Sequence, residues 1–349
     1  MRCSIALSTY NGAAFLEKQL DSLLAQTRLA DEIIISDDAS TDRTLEIIEA
    51  YRVVHPHISW KILTSAQNQG FRKSFLRALT YCSGDLIFLC DQDDIWSETK
   101  IERTEQIFET NPQILSLVSD FKTIDSNDEP LNPHAKAENL WVSDRVFYAE
   151  TKPVQIYLRE MLGRNQGQGC AMALRREVAQ EYIALNVVWT HDWIINLLAA
   201  MHGGLYYTDE QLISYRLHGS NAIGMAQGEH AQRRIPLLRK PYEFALAFKY
   251  SLLQGDRNVY LGELLPVSMD KYEYVFDHVN CIGEKEKKDL NAWRRFQSRR
   301  LGLIHNRKLI PYLFFFLRNH RFFQENAYFS TYEQYIIRLM MDLCVIIKH

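Results

Sequence analysis

Three carboxylates fall within four residues at Asp91-Gln92-Asp93-Asp94, directly after the apolar run Leu86-Ile87-Phe88-Leu89-Cys90. Carboxylates crowded at the end of a strand repel one another. A hard divalent cation is the usual remedy, because Mg²⁺ or Mn²⁺ takes oxygen ligands and also bridges phosphates. An acidic turn that caps the next helix is the simpler account of an isolated Asp-x-Asp-Asp, so the other polar clusters have to decide. Asp37-Asp38 closes the run Glu32-Ile33-Ile34-Ile35-Ser36, and Ser8-Thr9-Tyr10-Asn11-Gly12 closes Cys3–Leu7. Farther on, Thr190-His191-Asp192-Trp193 opens an apolar stretch; Asp192 there either complements the helix dipole or supplies a carboxylate apart from the others. Tyr215-Arg216-Leu217-His218-Gly219-Ser220-Asn221 gathers Arg, His and Asn beside Gly, the composition of a ligand loop, although a lone His is more often structural.

The elements that must position these residues follow from periodicity. Strands are expected at Cys3–Ser8, Glu32–Ser36, Trp60–Thr64 and Leu86–Cys90. Between them lie helices marked by Leu16, Leu20, Leu23 and Leu24, by the stretch through Tyr51, and by Phe71, Phe75, Leu76 and Leu79 on one side. Strand and helix alternating at this spacing predict an α/β fold with a mainly parallel sheet and right-handed crossovers. In such sheets ligands gather outside the carboxyl ends of the strands, where Ser8 to Tyr10, Asp37-Asp38 and Asp91 to Asp94 all fall. Further strands are expected at Ile114–Phe121, after Gly167-Gln168-Gly169, at Leu205–Thr208 and at Ile213–Tyr215, with a helix over Ile194–Met201. The glycine at 169 suits a ligand that approaches the backbone closely. Asn132 to Thr151 is weakly patterned and reads as a loop over the site. A Gly-x-Gly-x-x-Gly fingerprint is missing after the first strand, as is a Walker loop, so a phosphate here is held through a metal and not a glycine loop.

The 349 residues are 47% hydrophobic, enough for a full core, and contain no apolar stretch of spanning length and no signal-peptide pattern at the start. A cytoplasmic protein is expected, with six cysteines reduced and buried, since no Cys-x-x-Cys pair occurs. The net charge of -3 hides an asymmetry: residues 1–224 carry 20 Lys and Arg against 30 Asp and Glu, and residues 225–349 carry 20 against 13. An acidic region at 1–224 is therefore expected to precede a helical, basic and aromatic extension at 225–349.

Taken in order, Ser8-Thr9-Tyr10-Asn11-Gly12, Ser36-Asp37-Asp38-Ala39-Ser40-Thr41-Asp42, Asp91-Gln92-Asp93-Asp94 and His191-Asp192-Trp193 resemble glycosyltransferase family 2 over roughly residues 1–224. The resemblance implies a GT-A fold, a nucleoside-diphosphate sugar donor and inversion at the anomeric carbon. The run from Tyr215 to Asn221 is similar to a rhamnosyltransferase-like branch that builds bacterial surface polysaccharide such as O-antigen, capsule or exopolysaccharide. Carried over, Ser8, Tyr10, Asp38, Arg72 and Asp91 contact the nucleotide, Arg72 on the loosest match. Asp93, Asp94 and His218 are the metal contacts for Mg²⁺ or Mn²⁺, and Asp192 is the catalytic base. Gly169, His191, Trp193, Arg216 and Asn221 form the loops around donor and acceptor. Chemistry supports this division: a cation stabilises the departing diphosphate, while the acceptor hydroxyl must lose its proton to a carboxylate that the metal does not neutralise.

Two other readings compete. A nucleotidyltransferase also places acids at strand ends, but it needs a basic, glycine-rich loop near the start for a triphosphate, and none is present. A non-catalytic sugar-binding protein on a dead transferase fold is the other, though every expected carboxylate is present. The acceptor class is a glycan or lipid-linked hydroxyl. Between Leu290 and Gln324 there are eight Lys or Arg and no Asp or Glu, interleaved with Leu309–Leu317 and Phe322-Phe323. That pattern fits either an anionic membrane surface at the inner face of the cell membrane or a homo-oligomer contact; nucleic acid fits poorly beside an acidic catalytic region.

Overall fold

Short, wholly buried apolar runs cannot leave their backbone polar groups unpaired, and in the computed structural model they meet in one mixed sheet. The structure describes residues 1–131, 153–162, 165, 167–187, 190–218, 269–279, 282–305 and 308–319. By contact the chain divides into two compact units, one of Met1–Ile156 with Asn165–Gln227, the other of Tyr157–Arg164 with Gly228–His349.

In the first unit β1 (Cys3–Thr9), α1 (Leu16–Leu24), β2 (Glu32–Asp37), α2 (Thr44–Val54), β3 (Ser59–Thr64), α3 (Phe71–Tyr81) and β4 (Leu86–Cys90) alternate as expected. They are followed by β5 (Ile95–Trp96), α4 (Lys100–Thr110), β6 (Ser116–Ile124) and β7 (Val154–Gln155). After the helical segment α5 (Leu158–Met161), which belongs to the second unit, come β8 (Met172–Arg175), α6 (Arg176–Leu185), α7 (His191–Met201) and β9 (Leu205–Arg216). The strands lie in the order β3-β2-β1-β4-β8-β6-β9-β5, with β7 on β9. Every residue of β1, β2 and β4 is buried, as a central parallel strand covered on both faces requires. Neighbours β1, β2, β3 and β4 are parallel.

Three details differ from the sequence-based expectation. First, β8 enters the middle of the sheet antiparallel to both β4 and β6, which restores β6 and its parallel neighbour β9 to the direction of β4. The carboxyl ends of β1, β2, β4, β6 and β9 therefore open on one edge, together with the amino end of β8. Second, Leu205–Arg216 is one twelve-residue strand where two short ones were expected. The register shift opposite Ser119–Phe121 interrupts the apolar pattern there without breaking the strand. Third, the strand expected at Ile114–Phe121 runs from Ser116 to Ile124.

Cys3, Cys82, Cys90 and Cys170 are free thiols; Cys281 and Cys344 lie outside the described residues, as do the loop expected over Asn132–Thr151 and the boundary near residue 224. In the second unit α8 (Met269–His278), α9 (Glu284–His305) and α10 (Leu309–Arg318) are helical, in keeping with the helical pattern expected after residue 225. Its core holds Trp293, Phe296, Tyr312, Phe315 and Phe316. Among the described residues no helix is long and apolar enough to cross a membrane.

Candidate active site

The acid loop begins where β4 ends. Asp91 and Asp94 bring carboxylate oxygens within 4.8 Å of each other and of the Cys170 sulfur. Cys170 arrives because β8 is antiparallel, so the short 3₁₀ turn Gly169–Ala171 that precedes it sits at the carboxyl edge of β4. Asp94 is fully buried; its Oδ1 accepts the Arg216 backbone N–H at 3.0 Å, and its Oδ2 has no hydrogen-bond partner among the described residues. Burial, and after it the neighbouring Asp93, push the Asp94 carboxyl up to about 7. Burial likewise raises Asp91 well above the usual carboxylate range, with Asp93, Asp94 and Asp192 adding to it. Two desolvated carboxylates held together at this cost, one with an orphaned oxygen, suit a hard cation. The Cys170 thiol, itself pushed up by burial, stays protonated and is a poor ligand for such an ion.

Asp93 turns the other way. Its Oδ2 lies 2.9 Å from His218 Nε2, and the His218 ring packs on Phe15 with centroids 4.6 Å apart. The two residues meet because β9 runs parallel to β4's direction and delivers its carboxyl end to the same edge. Asp91, Asp93, Asp94 and His218, separated by more than a hundred residues, are thus brought together. Gln92, unremarked in the sequence, locks the loop to β1: its Oε1 accepts the Tyr10 N–H at 2.8 Å and its Nε2 donates to the Tyr10 carbonyl at 3.0 Å. A Cβ on Gly12 would lie 2.3 Å from that Oε1, which is why the turn after β1 needs glycine.

Arg216, expected in a ligand loop, is instead a brace with no solvent-exposed surface. Its Nε donates to the Asp93 carbonyl at 2.7 Å and its Nη1 to the Asp125 carbonyl at 2.9 Å; Nη1 also pairs with Asp128, and the guanidinium lies 4.8 Å above the Phe15 ring. Asn221 lies outside the described residues.

Lys100 was not singled out by the sequence, yet it is 1% exposed. Its Nζ donates to the Cys170 carbonyl at 2.8 Å and lies 4.0 Å over the Trp96 ring. Burial lowers its ammonium to about 8, while Cys170, Cys90, Asp94 and Asp91 oppose that shift. Its ammonium lies within electrostatic reach of Asp94 and Asp91.

Asp192 stands in the first turn of α7, on a different element. Its Oδ1 accepts the Trp193 N–H at 2.7 Å and its Oδ2 accepts Asn165 Nδ2 at 2.9 Å. Behind Asn165 a buried chain points the same way: Ser116 Oγ donates to Asn196 Oδ1 at 3.0 Å, and Asn196 Nδ2 to Asn165 Oδ1 at 3.3 Å. Burial raises Asp192 to about 6, against those hydrogen bonds and the pull of the Arg72 charge. A carboxylate with that poise accepts a proton near neutrality. The sequence singled out neither residue: Asn196 is a single amide in an apolar helix, and Asn165 carries no signal.

The other expected site residues divide. Ser8 is buried near the end of β1 and Tyr10 is 44% exposed beyond it. Arg72 is exposed at the start of α3, within electrostatic reach of Asp192. Asp38 is engaged by backbone: its carboxylate accepts the Gln69 N–H at 2.9 and 3.1 Å and the Gly70 N–H at 2.6 Å, fixing the turn before α3. Gly169 leaves room for His191, since a Cβ there would lie 2.9 Å from His191 Nε2. His191 is buried, with no hydrogen-bond partner for either ring nitrogen among the described residues, and is stacked on Phe75 at 4.0 Å. Burial lowers it to about 3, so it is a neutral packing residue. Trp193 is buried beside Asp192.

The model of Glycosyl transferase family 2 matches residues 4–183. An uncharacterized glycosyltransferase of Nostoc sp. is 27% identical over 230 residues, 63% of this chain and 66% of that protein. The dTDP-rhamnosyl transferase RfbG of Shigella flexneri is 28% identical over 250 residues, 68% of this chain and 80% of its own length. The uncharacterized Rv1520 of Mycobacterium tuberculosis is 27% identical over 66% of this chain and 62% of its own. The chain thus spans just under two thirds of the Nostoc and mycobacterial relatives. Among solved structures, S. aureus TarS in complex with UDP-GlcNAc is 15% identical with a TM-score of 0.48, covering 80% of this chain and 79% of that one. The mannosyltransferase PcManGT from Pyrobaculum calidifontis, in complex with GDP-Man and Mn²⁺, is 17% identical with a TM-score of 0.48, covering 79% and 84%.

Proposed function

The chain belongs to glycosyltransferase family 2, and from that premise we propose that it transfers a sugar from a nucleoside-diphosphate donor to a hydroxyl of a glycan or lipid-linked acceptor, inverting the anomeric carbon. The observation that carries the reading is the separation of two kinds of carboxylate. Asp91 and Asp94 crowd at the end of β4, with one Asp94 oxygen that meets no N–H or O–H among the described residues, while Asp192 stands on α7, poised at about 6 and oriented by Asn165. In this reading Asp91, Asp93 and Asp94, with His218 behind Asp93, hold Mg²⁺ or Mn²⁺. Such an ion supplies charge stabilisation to the departing diphosphate. Asp192 takes the proton from the acceptor hydroxyl as that oxygen attacks the anomeric carbon, and Asn165 keeps the carboxylate aimed while it does so. Arg72, exposed on the edge of the same opening, is available to the diphosphate. Ser8 and Tyr10 line the nucleoside end. Asp38 bounds it through the Gln69-Gly70 turn.

The similarity to a dTDP-rhamnosyl transferase makes dTDP-rhamnose the first donor to test, and bacterial O-antigen, capsule or exopolysaccharide assembly at the cytoplasmic side of the membrane the setting. We assign catalysis to residues 1–224 and a docking role to residues 225–349. The test is thermal stabilisation by a panel of nucleotide sugars with and without Mn²⁺, followed by release of the nucleoside diphosphate. A metal-dependent shift with one nucleotide sugar, and hydrolysis or transfer from it, supports the reading. Stabilisation by nucleoside triphosphates alone, with pyrophosphate released, would replace it with nucleotidyl transfer.

A further inference from the structure

The second unit carries a surface that sugar transfer does not explain. On α10, Ile310, Phe314 and Leu317 are 66, 70 and 68% exposed. Their spacing of four and then three residues sets them in one stripe along the helix. The opposite side is used by the core: Tyr312, Phe315 and Phe316 are buried, with Phe315 stacked on Phe296 of α9 at 5.2 Å. A helix of this size does not need three large apolar side chains on its outer face for folding, and contiguous exposed apolar surface of this kind marks an interaction site.

The charges around the stripe indicate its partner. No Asp or Glu occurs from Leu290 to Gln324. Lys308 and Arg318 are exposed at the two ends of α10, and Arg295 and Arg299 are exposed on α9. Not every basic residue of this stretch is available: Arg300 is wholly buried, and Arg294 lies 3.8 Å from Asp277 and over the Phe276 ring. The eight cations counted in the sequence therefore overstate the surface. What remains on α10 is an apolar stripe with an exposed cation at each end and no Asp or Glu between them in sequence. A second copy of this chain would bring the same positive frame against it, and nucleic acid would leave the stripe without an apolar partner. Ten residues of helix reach about 15 Å, half the thickness of a hydrocarbon core, so α10 cannot span a bilayer. It can lie in the headgroup plane with its apolar face down.

We propose that the outer face of α10 docks the protein on an anionic lipid surface, with Ile310, Phe314 and Leu317 entering the interface and Lys308 and Arg318 meeting lipid headgroups. The inference does not depend on which sugar is transferred, or on transfer at all.

The experiment is co-sedimentation of the full chain with vesicles of phosphatidylcholine alone and of phosphatidylcholine mixed with phosphatidylglycerol, at low and high salt. Wild type is expected to sediment with the anionic vesicles, weakly with neutral ones, and less at high salt. The double variant Phe314→Ser/Leu317→Ser removes exposed side chains, so its melting temperature should stay at the wild-type value while its vesicle partitioning falls by about tenfold or more, as loss of buried apolar area at the interface requires. Lys308→Gln/Arg318→Gln should reduce binding to anionic vesicles only. Failure of wild type to bind either vesicle, which would follow if residues 320–349 covered the stripe, overturns the proposal. So does partitioning of the serine variant equal to wild type, or a wild-type dimer that this variant turns into a monomer.

Discussion

Replacing Asp192 with Asn should stabilise the protein at neutral pH while nearly abolishing its activity. The Asp192 carboxyl is raised from 3.8 to about 6 chiefly by burial. The folded state therefore holds its proton more tightly than the unfolded state does, so the fold loses stability as pH rises from about 4 to about 6 and does not recover it above that. At roughly 1.4 kcal/mol per unit, the ionised group costs the fold up to about 3 kcal/mol at pH 7. Asn removes the charge but offers one acceptor where the carboxylate offered two, to Trp193 N–H and to Asn165 Nδ2. One hydrogen bond is lost, worth about 1 kcal/mol. The net expectation is a gain of about 1 to 2 kcal/mol at pH 7, and below pH 4, where Asp192 is protonated in both states, a small loss. Turnover should fall by about 10² or more, because only the proton acceptor is missing, and the wild-type rate should rise with pH through about 6. Thermal melts of both proteins at pH 4 and pH 7, beside single-donor kinetics, test all of this. Transfer within a few-fold of wild type refutes the assignment of the base. An Asn variant equally destabilised at both pH values refutes the account of its burial.

Asp93→Ala should weaken metal-dependent binding of a nucleoside diphosphate and leave metal-free binding unchanged; calorimetry with Mn²⁺ and with EDTA reads the difference, and equal affinities in the two proteins would take Asp93 out of the metal shell. Lys100→Met keeps the packing on Trp96 and removes the resident cation, so the metal-free protein should melt lower, Mn²⁺ should raise its melting point more than it does that of wild type, and Asp94→Asn added to it should restore part of the loss. An equal drop with and without Mn²⁺, unrelieved by Asp94→Asn, would reduce Lys100 to a tether for the Cys170 carbonyl. Arg216→Met should cost about 2 to 3 kcal/mol of stability, since it removes hydrogen bonds from a charged donor to the carbonyls of Asp93 and Asp125 and the pairing with Asp128; a loss under about 1 kcal/mol in chemical denaturation would mean that the acid loop holds itself.

The strands and the acids that close them were legible locally, because an apolar run and the residues that end it are adjacent in sequence. Apolar runs of five to seven residues read as buried strands, and the acids that closed them had to face the carboxyl edge of a parallel sheet, which is where Asp91, Asp93 and Asp94 stand; Asp192 opens a helix, and its assignment as base rests on the family resemblance. Long-range pairing could not be read in that way. Nothing in Met172–Arg175 says that the strand enters antiparallel between β4 and β6, yet that choice puts Cys170 beside the acids and sets the direction of β9 that brings His218 to Asp93. Burial of charge is likewise a property of the assembled interior. Arg216 looked like a ligand residue and is a wholly buried brace; Lys100, which the sequence did not single out, is buried within electrostatic reach of Asp94 and Asp91; His191 stacks on Phe75 and leaves no room for a Cβ at Gly169. A side chain's type fixes what it can do, but its pKa and partners depend on the low-dielectric surroundings that distant segments create, and only the tertiary structure supplies those.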